Sequence, residues 1–186
     1  MNYVKQISEA WKFIKDSKGY FVLVVLLMIF GGVLGWIYSV QLGIIIDPFL
    51  KELVESLSGL GGFGLIVYIL QNNLSVAFLG VVLGVIFGII PMINSIANGL
   101  VIGYVINLTM EKASIFEMWK IFPHGIFELP AIIIALGLGI KLGFSVFSRE
   151  KFSKNFYGGV NVLMYIVIPL LILAAIIEGS LIYFMG

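Results

Sequence analysis

From Ser56 to Met110 the chain runs without one Asp, Glu, Lys or Arg, 55 residues in all. No other feature limits its folding so severely. A single helix of that length would extend about 80 Å, whereas the hydrocarbon of a bilayer is about 30 Å thick. The run must therefore turn back on itself within a membrane, and Pro91 and Asn94 are the expected place of reversal. The flanking sequence agrees, because another uncharged run separates Lys18 from Asp47. Over the whole chain 61% of residues are hydrophobic, 11% are charged and the mean hydropathy is +1.13. A soluble domain with a polar skin cannot be built from such material.

Other classes fall away on the same page. The net charge of +1 is spread thinly, so nucleic acid is excluded as a partner for want of a basic patch. The absence of cysteine removes disulfides, iron–sulfur clusters and thiolate zinc. Heme is unsupported by one histidine, and no cofactor is expected.

The hydropathy pattern predicts an all-α, polytopic membrane protein, residues 1–186 forming one integral membrane domain. Spans are expected at about 20–42, 74–90, 93–108, 124–143 and 160–184. The first is expected to be an uncleaved signal-anchor, being long and without a small-x-small cleavage site. Residues 1–18 place Val4, Ile7, Trp11 and Ile14 at helical spacing beside four lysines, as an interfacial helix would. Asp47-Pro48 reads as the start of a short amphipathic helix from Pro48 to Leu57. Gly62 to Leu70, closed by Gln71-Asn72-Asn73, is too short to span and is expected to be an interfacial elbow. Charged loops are expected at Glu111 to Lys120 and around Arg149, Lys151 and Lys154. Five spans put eight basic residues on the side of the N-terminus and three on the other, so the positive-inside rule predicts an inside N-terminus in the cytoplasmic membrane.

Small residues recur at four-residue spacing: Gly80, Gly84 and Gly88; Gly99 and Gly103; Ala131, Ala135, Gly139 and Gly143. Such rows let helix backbones approach where lipid removes the hydrophobic drive. They serve packing within the chain, contact with a second copy, or the lining of a pore. Polar residues are the candidates for function: Asn73, Asn94, Asn98, His124, Glu128 and Glu178. His124, the only histidine, stands one helical turn before Glu128 at the start of an apolar segment. A carboxylate there costs about 3 kcal/mol or more on insertion scales. The pair suits a proton relay, half of a metal site, or a helix N-terminal cap. A metal needs three or more ligands, and only Glu178 or a second copy of the chain could complete the set, so no metal site is assigned. The amides Asn94 and Asn98 are one turn apart and read as interhelical glue or substrate contacts. Lys141 is expected to snorkel. No motif for a hydrolase, a P-loop or a dinucleotide fold occurs, so the chain is not expected to be an enzyme.

Four blocks together resemble one family. They are Gln71-Asn72-Asn73-Leu74-Ser75-Val76-Ala77, Asn98-Gly99 with Gly103, Pro123-His124-Gly125 with Glu128-Leu129-Pro130-Ala131, and Ala175 with Ile177-Glu178-Gly179. The chain is similar across about Ile66 to Ser180 to stage II sporulation protein M and its bacterial and archaeal relatives. The resemblance implies about five helical spans and a membrane component rather than an enzyme. In spore formers the founding member works beside two peptidoglycan-degrading proteins during engulfment. Two roles are therefore expected of this chain: a scaffold within a membrane complex, or a small channel or transporter with a polar intramembrane site. Its partners would be the lipid bilayer, a second copy, or the proteins of such a complex.

Overall fold

The computed structural model describes residues 3–57, 59–112 and 122–185. All of its regular structure is helical, and five helical stretches are long and apolar enough to cross a membrane: Lys18–Ile37, Gly62–Val85, Ile89–Met110, Phe127–Phe144 and Lys151–Phe184. The expected charged loop after the third span falls largely on residues 113–121, outside the described residues.

The chain begins with α1 (Tyr3–Lys15), which turns at Asp16 and Ser17 into α2 (Lys18–Ile37). The first span ends at Ile37, five residues earlier than expected. After a break at Tyr38 the chain resumes as α3 (Ser39–Leu57) with Pro48 inside it. Asp47 is therefore not the cap of a new helix. Its carboxylate instead accepts a hydrogen bond from the hydroxyl of Tyr104, a residue on α5 (Ile89–Lys112) that is only 3% exposed. A polar tether across to α5 competes with the capping role that the local sequence favours, and α3 runs unbroken through the proline.

α4 (Gly62–Val82) corrects the expected elbow: Gly62 to Leu70 and the amides after it form the first half of one continuous span. Its buried stripe, Leu65, Ile69, Asn73 and Ala77, has a four-residue period that runs straight through the amide cluster. That period sets the helix more firmly than the polar composition breaks it. The reversal into α5 comes before Pro91. A short 3₁₀ turn, Leu83–Val85, leads to Phe87 and Gly88, both with positive φ, at 52° and 73°. Two successive left-handed residues reverse the chain tightly, and glycine carries the larger share of that conformation without steric cost. Gly88 is thus the corner of the hairpin and no longer part of a helical row.

α6 (Phe122–Phe144) holds Pro130 inside its length and is the most buried span. The expected basic loop after it is helical. α7 (Arg149–Val162) passes through a wide turn at Leu163–Val167 into α8 (Ile168–Met185), making one long helix with that turn inside it. The wide turn precedes Pro169, whose missing N–H and ring disturb the helical ladder just upstream.

Packing shows how these helices run. Gly31 and Gly35 of α2 meet Ile96, Leu100 and Tyr104 of α5, and Gly99 and Gly103 meet Met28 and Gly32. Numbers rise together on both helices, so α2 and α5 are parallel. α4 and α6 are parallel for the same reason, with Gly80 on Leu136 and Gly84 on Gly139. α8 runs against α4: Gly62 meets Tyr183 and Gly179 meets Ile66. Successive spans therefore point in opposite directions, as five crossings require.

One end of the bundle is closed by α1 and α7. Asn161 Nδ2 donates to the Gln6 carbonyl at 3.1 Å, the rings of Tyr3 and Tyr165 meet edge to face, and Phe13 lies on Gly158. Ala10 faces inward at 0% exposure, while Val4 and Trp11 remain on the outside. Lys141 is not simply snorkelling. Its Nζ donates to Ser17 Oγ at 2.7 Å and sits 3.8 Å from the centre of the Phe13 ring, which ties the end of α6 to the α1–α2 corner.

Candidate functional site

Two features stand out inside the bundle, one apolar and one polar. The apolar feature is a groove of about 480 Å³ between α2, α5 and α6, lined by thirteen residues that include Met28, Gly32, Trp36, Gly103, Ile106 and Ile133. No lining residue is charged. Glycines form part of its floor, and it opens beside the exposed apolar flank of α2, where Leu26, Ile29 and Val33 stand more than half exposed.

The polar feature lies where α4, α6 and α8 meet. Asn73 is 4% exposed and belongs to the stripe of α4 that continues through Ala77 and Gly80 onto α6. Gly80 meets Leu136 and Gly84 meets Gly139. Counting back along the two parallel helices brings Asn73 level with Glu128. On α8, Glu178 follows the fully buried Leu171, Ala174 and Ala175 at helical spacing. The pairing of Ile66 with Gly179 sets it about one and a half turns from the level of Asn73. The Cα–Cβ bonds of a helix tilt toward its N-terminus. On two helices pointing one way and a third pointing the other, that tilt draws Asn73, Glu128 and Glu178 toward a common depth. Glu128 and Glu178 are only partly exposed.

The amide of Asn73 is incompletely satisfied. Its Oδ1 accepts a long hydrogen bond of 3.4 Å from Asn72 Nδ2, while its own Nδ2 has no partner among the described residues. Leaving a buried donor unpaired costs about 1–3 kcal/mol.

The other candidates separate from this cluster. Asn98 Nδ2 donates to both the carbonyl and Oδ1 of Asn94 at 2.9 Å, so much of their polarity is spent along α5. The backbone of His124 begins α6, but its side chain lies outside the described residues, and the expected pairing with Glu128 does too. Among the described residues no group of three or more His, Cys, Asp or Glu is placed to hold a metal. The small residues stand mostly against backbone. A Cβ on Gly84 would fall on Gly139, one on Gly103 would fall on Gly32, and one on Gly143 on the Gly84–Gly88 corner. Ala131 and Ala135 are fully buried. Sequence reasoning missed the Tyr104–Asp47 tether and the Lys141–Ser17 anchor. Neither has a local signal, since the partners are far apart in sequence and single tyrosines and serines are common in apolar helices.

An all-helical bundle with five spans, alternating in direction and holding acidic and amide side chains among its helices, defines a polytopic integral membrane protein. The model of one family, stage II sporulation protein M, matches residues 21–181, most of the chain, and the chain belongs to that family. No curated protein and no solved structure matches it.

Proposed function

We propose that this protein is a membrane scaffold, a component of a membrane complex that holds another membrane-embedded partner against the flank formed by α2, α5 and α6. The apolar groove carries this reading. A partner helix gains nothing from leaving lipid for another apolar surface unless the surface is shaped to pack it, and glycine-floored grooves allow that close approach.

The test is a photo-crosslinker placed in native membranes at Ile106, within the groove, and at Leu173, on the exposed face of α8. A scaffold gives a discrete protein adduct from Ile106 that Ile133→Trp removes by filling the groove, and lipid adducts alone from Leu173. Lipid adducts alone from both positions would defeat the reading.

A second reading, a small channel or transporter, is favoured by the polar cluster. It predicts solute or proton flux through liposomes containing the protein, abolished by Glu128→Gln. The scaffold predicts no flux above that of empty liposomes.

We further infer an inside N-terminus, supported by the basic residues of α1, α7 and Lys141 at one end of the bundle. Cysteine labelling should reach Ser153→Cys only from the cytoplasmic side and Glu52→Cys only from the other. Labelling of both from one side would reject this orientation.

A further inference from the structure

We propose that Asn73, Glu128 and Glu178 form a buried binding site for one small monovalent cation, an ion of the sodium class. The inference goes beyond the scaffold reading and does not depend on it.

Three observations meet here. Two carboxyl groups, Glu128 and Glu178, are brought by helix register toward a common depth among apolar helices. Two like charges so placed cannot both persist uncompensated in a low-dielectric interior. The second observation is independent of the acids: an amide, 96% removed from solvent and set on the buried stripe of α4, carries an atom without a partner among the described residues. The oxygen and nitrogen of an asparagine amide exchange places by a half-turn of the side chain. With Asn72 and Asn73 both turned, Asn73 Nδ2 donates to Asn72 Oδ1, and Asn73 Oδ1 takes the unpartnered inner position. The site then offers three oxygen-bearing side chains, the ligand type preferred by hard cations.

The third observation concerns where positive charge is found. Of the described basic side chains, all but Lys51 lie at the opposite end of the bundle, and Lys51 is exposed on α3. Lys141, on the same helix as Glu128, lies about 20 Å farther along it and is already held by Ser17 and Phe13.

Charge balance selects a monovalent ion. With both carboxyls protonated the site is neutral. When Na⁺ enters and one proton leaves, it is neutral again: one carboxylate faces the ion, and the remaining carboxyl proton bonds to that carboxylate. A divalent ion would require both protons to leave. The small ligand set also falls short of the three acidic or imidazole groups usual for a metal centre.

Equilibrium binding of radiolabelled Na⁺ to the purified protein in detergent tests this directly, with choline chloride holding ionic strength constant. The expected result is saturable binding of one ion per chain that weakens as pH falls. Glu128→Gln and Glu178→Gln should each weaken it at least tenfold, and Asn73→Leu should weaken it as well, while Gln71→Ala, exposed on the same helix, should leave it unchanged. Thermal unfolding in NaCl against choline chloride establishes that each variant is folded. Wild-type protein without saturable Na⁺ binding at neutral or alkaline pH overturns the proposal, even if every variant fails to fold. That result would arise if His124 supplied the compensating charge. Undiminished binding by folded Glu178→Gln overturns it too.

Discussion

The α2–α5 pair and the α4–α6–α8 junction use the same small residues to bring helices together, yet they finish the task differently. Between α2 and α5 the contact is backbone on backbone over two turns and more, with glycines contributed by both helices. The polar groups nearby are settled: Ser95 Oγ donates to the Pro91 carbonyl at 2.7 Å, and Asn98 donates to Asn94. At the junction of α4, α6 and α8 close packing at Gly80, Gly84 and Gly139 gives way, within a few turns, to two acids and an amide with an unpaired donor. In lipid, association rests on shape and on polar satisfaction. The first region has both, and the second has shape at one end and unspent polarity at the other. Unspent polarity in a membrane interior is costly, which is why that end is the place to look for a ligand.

If this contrast holds, the largest loss should come from the dry pair. Gly103→Leu sets a side chain into the backbone of Gly32 and should destabilise by about 3 kcal/mol or more, seen as the deepest fall in thermal midpoint in detergent. Gly84→Leu forces the same collision with Gly139 but at the end of its helix, beside the hairpin corner, and should cost about 2–3 kcal/mol. A midpoint for either variant equal to wild type would show that its helix pair does not form this contact.

Glu128→Ala should follow, lowering stability in NaCl by about 1–3 kcal/mol through loss of the binding energy of the proposed ion. Glu52→Ala, on the exposed part of α3, should change it by less than about 0.5 kcal/mol. Equal effects would place Glu128 in water and dissolve the contrast. Tyr104→Phe removes one hydrogen bond to Asp47, whose exposure limits its worth to about 1 kcal/mol. Its clearer signature is faster amide exchange in α3, with the α2–α5 contact intact. Smallest of all, Gly61→Leu meets nothing within 4 Å, and its thermal midpoint should match that of wild type.

Much of this architecture was legible in the pattern of charge. Long uncharged runs fixed the fold class and the need for a reversal, and the basic residues of 5–18 and 141–154 gathered at one end of the bundle. Boundaries were harder. Gln71-Asn72-Asn73 reads as a break because amides favour turns, but Leu65, Ile69, Asn73 and Ala77 share one face, and burial of that face holds the helix together. The proline at 91 drew attention from Phe87 and Gly88, where the reversal occurs. Pro91 lies in the first turn of α5, where a missing N–H costs nothing. At the candidate site, Asn73, Glu128 and Glu178 stood out singly because polar residues are rare in such segments. Their convergence depends on helix direction and register, which no local window contains. Asn94 and Asn98 carry the same local signal, but they bond to each other along α5.

The pairing of α2 with α5 also bears on how the chain is made. The glycine face of α2 is completed by residues synthesised about seventy positions later, Gly35 meeting Tyr104. At roughly 5–20 residues per second, the first span waits some 4–14 s before its partner emerges. During that interval α4 passes through the insertion machinery without offering a substitute surface, since α2 packs chiefly on α5. A nascent helix with an open backbone groove must then be sheltered by lipid or by the insertion apparatus, and a ribosome that stalls between α4 and α5 would leave it without the neighbour it was shaped to meet.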